Sequence, residues 1–231
     1  MENFVYSDKE ELEQMEIMDN YNSSIAKYIK SHLKTKDMQI LDFGSGIGTI
    51  AKYFPKDRLT CLEIDSQQRK IISDKGFKTI ASLDEVDDDS LDFVYSSNVL
   101  EHIEDDFQAI KNIVKKMHNG AKIAFYVSAF PILYSKMDER VGHFRRYTKK
   151  RLLEVFEKAE LSVEEIFFSD SLGFFTTLLF KFLGNKDGTT STSILKIYDK
   201  IIYPLSNFLD KVGCRWFVGK NLFIAAKKIK I

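Results

Sequence analysis

Cysteine, histidine and net charge are all in short supply in this chain. It has two cysteines, Cys61 and Cys214, in 231 residues. That is too few for a disulfide framework, and a reduced, cytoplasmic setting is expected. Lysine plus arginine (34) equals aspartate plus glutamate (34), so no overall field draws nucleic acid. No apolar run reaches the roughly 18 residues of a membrane span. Met1 to Phe4 carries no basic segment followed by an apolar run, so no signal peptide is expected. Internal repeats and low-complexity tracts are lacking as well. With His32, His102, His118 and His143 as the four histidines, candidates for a general base are few. What remains is a chain long enough for one sizeable core, read as a single domain with an elaboration.

Leu12, Met15, Met18, Tyr21, Ile25 and Tyr28 step by three and four, which predicts a helix over residues 9–34. The period then changes. Strands are predicted at 38–43, 59–64, 77–80, 91–95 and 121–127. Between them, residues 47–54 read as a short helix closed by Pro55, and Ser66 caps a helix that stops at Gly76. Ile103, Phe107, Ile110, Val114 and Met117 mark another helix, ended by Asn119-Gly120. Strands and helices alternate without hairpin signals, which predicts a doubly wound α/β sheet. Such sheets bind ligands at the carboxyl ends of their strands, where Asp42, Glu63, the segment after Ile80, and Ser96 to His102 all fall.

Thr148 caps a predicted helix over 149–160, and two more strands are predicted at 162–168 and 221–227. The intervening 171–220 holds an apolar run from Leu172 to Leu183 and a polar loop from Gly184 to Ser193. A stripe at Ile194, Ile197, Tyr198, Ile201, Leu205 and Phe208 follows, interrupted by Pro204. The expected organisation is an N-terminal helical cap (1–36), a ligand-binding core (37–170 and 221–231) and a helical insertion (171–220).

The densest signal is Ile40-Leu41-Asp42-Phe43-Gly44-Ser45-Gly46-Ile47-Gly48. Glycines at every second position let a ligand approach bare backbone where a strand turns into a helix. The segment lacks the Lys-Ser/Thr ending of a phosphate-binding loop, and its spacing is tighter than the dinucleotide fingerprint. Asp42 would repel a pyrophosphate and welcome an ammonium group. An ordinary glycine turn is the bland alternative. Glu63 stands 19 positions after Gly44, where a carboxylate can accept both hydroxyls of a ribose or simply face water. Asp87-Asp88-Asp89 stand in a row without a histidine partner, so no metal site is expected.

Together with Ser97-Asn98-Val99-Leu100-Glu101-His102-Ile103, these motifs resemble the class I S-adenosylmethionine-dependent methyltransferases over residues 38–128. The resemblance implies a Rossmann-like, mostly parallel seven-stranded sheet with its last strand antiparallel, under a helical lid. It implies S-adenosylmethionine as cofactor, its methionine part on Asp42, Gly44, Ser45 and Gly46, and its ribose on Glu63. Adenine would lie by Ile64, Ser82 and Leu83, and Ser97 and Asn98 would close the site. The adenine loop departs from the pattern, since Ile80-Ala81-Ser82-Leu83 has no acid before Asp84.

Asp138-Glu139-Arg140-Val141-Gly142-His143-Phe144-Arg145-Arg146-Tyr147 is the second unusual segment. Its guanidinium groups suit carboxylate or phosphate, while a solvated basic loop is the bland alternative. The stretch from Pro131 to Tyr147 resembles a methyltransferase subgroup of bacterial cell-surface polysaccharide and glycolipid pathways. That resemblance implies that Asp138, Arg145, Arg146 and Tyr147 face the acceptor or fix the loop that does. Arg145 could instead pair with Asp138 as a structural clasp. His143 is the first candidate base and His102 the second.

The resulting expectation is O-methylation of a sugar, lipid-linked glycan or small metabolite. N- or C-methylation of a small molecule such as a quinone precursor, and a non-catalytic cofactor-binding subunit, are the alternatives. The 171–220 segment admits three readings: lid, extra core, or membrane-surface helices, the last because bulky apolar residues are flanked by Lys181 and Lys186. A lipid-linked acceptor would put a cytoplasmic protein in peripheral contact with the inner face of the membrane.

Overall fold

The computed structural model describes residues 14–35, 37–183 and 191–229. Seven strands make one sheet: β1 (Ile40–Phe43), β2 (Leu59–Leu62), β3 (Lys78–Ile80), β4 (Leu91–Ser97), β5 (Met117–Ser128), β6 (Leu161–Ser169) and β7 (Asn221–Lys228). Their order is β3-β2-β1-β4-β5-β7-β6. The first five run parallel. β7 is antiparallel to both of its neighbours, as the doubly wound, Rossmann-like expectation required. Reversal of strand order at β1 and β4 opens a crevice at their carboxyl ends, where ligands of such sheets bind.

Alternation along the strands divides the core in two. Leu41 and Phe43 join one cluster with Ile110, Ile113 and Val114 of α3 (Asp106–Lys116) and Leu152, Val155 and Phe156 of α5 (Lys149–Lys158). Ile40 faces the other, built with Tyr21, Ile25 and Ile29 of α1 (Asp19–Lys30) and Ile72 of α2 (Ser66–Asp74). Between β5 and α5 lie a single turn, Pro131–Leu133, and the short α4 (Lys136–Arg140). Between β6 and β7 lie α6 (Ser171–Leu183), α7 (Thr192–Ile197), a wide helical turn (Tyr198–Ile202) and α8 (Tyr203–Lys211).

Four local expectations change. The cap of α2 is Asp65, whose side chain accepts from the amides of Gln67 and Gln68, and not Ser66, which is the first helical residue. The helix expected over 47–54 shrinks to one tight turn, Ala51–Tyr53. Gly48 sits at φ +83°, outside helical space, and Pro55 disfavours helix in the residue before it. Asn119-Gly120 does not end a helix. These residues lie inside β5 at an irregularity, where Leu91 pairs with Met117 but Phe93 with Lys122, and Gly120 takes φ +80°. The stripe through Ile194 and Phe208, for which lid, core and surface were all open, faces water. Only Tyr198, among the residues read as that stripe, packs on the core with its neighbour Leu195. The wide turn precedes Pro204, whose ring nitrogen has no hydrogen to donate to the preceding turn. Leu12, Lys186 and most of the polar loop after Leu183 lie outside the described residues.

The inward side of this run is polar for a reason. Asp199 accepts from the backbone N–H groups of Asn20 (3.1 Å) and Tyr21 (2.9 Å). Asp210 accepts from those of Asp170 (2.7 Å) and Ser171 (3.2 Å), and the Ser206 hydroxyl from that of Leu172 (2.9 Å). First-turn amides of a helix have no partner within it. Here the insertion supplies acceptors to the starts of both α1 and α6, and its carboxylates favour the positive helix ends.

Candidate functional site

β1 leaves the sheet at Phe43, and the turn that follows is tied to β2, the amides of Gly44 and Ser45 both donating to the Leu62 carbonyl at 2.9 and 3.0 Å. Gly44 has φ +77°, and a Cβ there would lie 2.6 Å from Cγ2 of Val99. This glycine is therefore demanded by the turn after β4 as well as by its own conformation. The Ser45 hydroxyl donates to the Asp42 carbonyl at 3.1 Å.

Asp42 is 3% exposed at the mouth of this turn. Burial drives its carboxyl up to about 7, against the nearby hydroxyls of Tyr95 and Ser45, and Glu63 adds repulsion. Among the described residues its neighbours are hydroxyls and an acid, not a cation. Glu63 stands just past β2 and knits two turns together: one oxygen accepts from the Gly46 amide at 2.8 Å and the other from the Asp65 amide at 2.9 Å. Burial raises its pKa while those amides lower it. Each oxygen keeps a second lone pair for a ligand hydroxyl. Ile64 beside it is 54% exposed.

Past β3, Ser82 opens a short turn over Leu83–Glu85. The acid that the loop lacked at its start is Glu85, which accepts from the amides of Ala81 (2.7 Å) and Ser82 (3.1 Å). The reading of the sequence missed it, though Ser-x-x-Glu is a capping-box signal. Past β4, the Ser96 hydroxyl donates to the Phe43 carbonyl at 2.7 Å and locks the ends of β1 and β4 together. Asn98 takes φ +54°, donates its amide to the Tyr126 carbonyl at 2.7 Å, and donates from its side chain to the Ser97 hydroxyl at 3.4 Å. The Asn221 side chain reaches Asn98 at 3.3 Å and accepts from the Tyr21 hydroxyl at 3.3 Å.

A second group gathers around Asp138, which is fully buried. His143 Nδ1 lies 2.7 Å from one of its oxygens, and Arg146 Nε donates to the same oxygen at 2.7 Å. Although burial pushes Asp138 upward, His143 and Arg146 hold it down at about 2. The ring of His102 meets that of His143 edge to face, with centroids 4.5 Å apart. Burial lowers the His102 pKa, with His143 adding to the effect and Glu101 opposing it. Glu101 is fully buried, with one oxygen accepting from the Ser128 amide at 2.9 Å. Among the described residues, its other oxygen and Nη1 of Arg146 have no hydrogen-bond partner, and both are buried.

Arg145 and Tyr147 turn away from this group. Arg145 donates to the carbonyls of Ile103 and Glu104, both at 2.6 Å, and lies 3.4 Å from Asp106. Tyr147 is buried, its hydroxyl 3.0 Å from Asp106 and 3.2 Å from the Leu100 carbonyl. The clasp onto Asp138 is thus made by Arg146, not Arg145. His32 lies on Glu165 at 3.2 Å.

A buried carboxylate without a cation, at a turn whose backbone is held open by glycine, suits the ammonium of a methionine moiety. The Glu63 oxygens and the exposed face of Ile64 suit a nucleoside next to it. Residues 41–125 match the family described as methyltransferase domain. No curated protein matches the chain. Among solved structures, a phosphoethanolamine N-methyltransferase of Haemonchus contortus in complex with S-adenosylmethionine aligns at 15% identity and TM-score 0.62. That alignment covers 91% of this chain but 53% of the Haemonchus protein, so the chain spans about half the length of that relative. A Haloferax volcanii methyltransferase in complex with a methyltransferase activator aligns at 14% identity and TM-score 0.67, covering 98% of this chain and 99% of its own. A Thermotoga maritima S-adenosylmethionine-dependent methyltransferase aligns at 14% and TM-score 0.64, over 95% and 94%. At such identities these relatives speak for the fold.

The seven-stranded sheet, with its antiparallel β7, has the fold of class I methyltransferases. Residues 41–125 carry the match to a methyltransferase domain, and S-adenosylmethionine is the ligand of the Haemonchus structure that the fold resembles.

Proposed function

We propose that the protein methylates an oxygen of a sugar, a lipid-linked glycan or a small metabolite. The observation that carries this reading is the 2.7 Å contact between His143 Nδ1 and Asp138. A carboxylate on one ring nitrogen keeps the proton there and leaves Nε2 as the proton acceptor. A hydroxyl acceptor needs such a group as it attacks, whereas an amine with a free lone pair does not. Arg146 keeps Asp138 ionised through its Nε, and its buried Nη1 has no partner among the described residues. His102, its pKa lowered by burial, packs against the base without adding a second full charge.

When bound, the cofactor supplies a methyl group already activated on a sulfonium, so the protein has to align the acceptor and exclude water. In this reading Asp42 receives the ammonium, with Gly44, Ser45 and Gly46 giving backbone contact to the methionine part. Glu63 receives the ribose hydroxyls. Ile64, Ser82 and Leu83 flank the adenine, and Ser97 and Asn98 close the side toward the acceptor. The sheet and its helices within 37–170, with β7, hold the cofactor, and the inward sides of α1, α6 and α8 close over it. Arg145 and Tyr147 shape the acceptor site from behind, through Asp106. A lipid-carried glycan is the acceptor that accounts best for the apolar insertion, and it implies peripheral contact with a membrane.

The test is turnover against glycan and glycolipid extracts. His143→Ala is expected to lower kcat by about a hundredfold with cofactor affinity unchanged, and Arg146→Ala to lower turnover more than Arg145→Ala. Full activity in His143→Ala would remove the base and favour an amine acceptor. Equal turnover in the two arginine variants would remove Arg146 from the acceptor site.

A further inference from the structure

The helical run from Thr192 to Lys211 is turned inside out. Ile194, Ile197, Ile201, Leu205 and Phe208 recur at steps of three and four, Val212 continues the series, and all six are between 44% and 64% exposed. Its acids point the other way: Asp199 and Asp210 are 4% and 3% exposed and hold the amides that start α1 and α6. A helix on a domain surface ordinarily buries its apolar stripe and hydrates its charges. The inward side here is committed to capping, and an unbroken apolar stripe of six residues meets water.

Neighbouring elements extend the apolar surface. On α6, Phe175, Leu179 and Phe182 are spaced four and three apart and all exposed. Trp216 and Phe217 follow α8 and are more than half exposed. Two contacts carry this surface toward the Asp138–His143 pair. Lys181 Nζ donates to the carbonyl of Ile132, itself exposed, at 2.6 Å. The Tyr134 hydroxyl, two residues on, donates to the His143 carbonyl at 2.7 Å, next to exposed Phe144.

Charge selects among the occupants of such a face. Lys196, Lys200 and Lys211 are exposed on the same run, and Lys181 on α6. Both acids of the 192–212 stretch are buried. A second copy of the chain on this face would bring lysine against lysine. A surface of anionic phospholipid would meet the lysines with opposite charge, take the aliphatic stripe, and seat Trp216 at headgroup depth. No helix among the described residues is long and apolar enough to cross a membrane.

We propose that the outer face of α6, α7 and α8, with Trp216 and Phe217, docks on the surface of a bilayer containing anionic phospholipid and lies in its headgroup plane. This deepens the reading of a lipid-carried acceptor, and rests on it for its purpose but not for its physics. Docking would present the Asp138–His143 pair to headgroups without drawing the acceptor out of the membrane.

The test is co-sedimentation of the full chain with vesicles of phosphatidylcholine alone and with about one-third phosphatidylglycerol. Adsorption to the anionic vesicles is expected to be at least about tenfold stronger, and weaker in high salt. Ile201→Glu with Phe208→Glu is expected to abolish it while leaving the melting temperature and S-adenosylmethionine binding in place. Lys200→Glu with Lys211→Glu should weaken it without touching the apolar stripe. Equal sedimentation with both vesicle types would overturn the proposal, as would an unchanged Ile201→Glu/Phe208→Glu variant. So would a dimer in light scattering that the same pair dissolves, since that would make the face a contact between copies. Adsorption without methylation of any glycolipid would instead count against the acceptor reading alone.

Discussion

The helices over Asp106–Lys116 and Thr192–Lys211 both carry apolar side chains at three- and four-residue steps. In the first, Ile110 and Ile113 are fully buried against the sheet, and Lys111 and Lys115 face water, while Asp106 at its start is buried against Tyr147 and Arg151. In the second, Ile197, Ile201 and Phe208 are each more than half exposed, and the buried side chains are Asp199, Tyr203, Ser206 and Asp210. The difference is what lies beneath. Past Asp106, α3 covers an apolar sheet face. The second run covers the starts of α1 and α6, whose free amides need acceptors more than they need methyl groups. Periodicity reports that a helix has a face. The neighbours decide which face is turned inward.

Substitutions can break this comparison or sharpen it. The largest effect is expected at the glycine turn, which belongs with α3 on the tightly packed side. Gly44→Val forces a Cβ to within 2.6 Å of Val99 at φ +77°, and a loss of about 3 kcal/mol or more is expected in chemical denaturation. A loss below about 1 kcal/mol would mean that the turn after β4 yields. Next comes the direct pair. Ile113→Ala, in a fully buried position, should cost about 2–4 kcal/mol through lost burial and a residual cavity. Ile201→Ala, 62% exposed, should stay within about 0.5 kcal/mol. Comparable losses at both sites would show that the outer stripe is covered within the chain itself.

Much of the sheet was legible because parallel strands buried on both faces leave continuous apolar runs, as from Ala121 to Val127. The glycine turn, Asp42 and Glu63 were legible because all three belong to the ends of adjacent strands, where short-range spacing is enough. Other features depend on partners remote in sequence. Asp199 caps a helix 178 positions away, and nothing near either residue marks the pairing. The exchange of roles between Arg145 and Arg146 was hidden for a similar reason. Which of two adjacent guanidinium groups meets Asp138 depends on the pairing of Ala129 with Tyr147, which sets the direction in which each side chain leaves. Glu85 and Asp65 were legible features overlooked, since the cap of each is local, on Ser82 and on the start of α2.

The central claim is that a buried, cation-free Asp42 and the Glu63 carboxylate hold S-adenosylmethionine. An ammonium beside Asp42 favours its ionised form. Below the folded-state value of about 7 a proton must therefore leave as the cofactor enters, and above it none does. Calorimetric titration of S-adenosylmethionine from pH 5 to pH 8 tests this directly. Affinity is expected to rise up to about tenfold per pH unit toward pH 7 and then level. Asp42→Asn should flatten the rise, and Glu63→Ala should lower affinity by about tenfold or more at every pH. Binding that is absent, or indifferent to pH and to both substitutions, would contradict it.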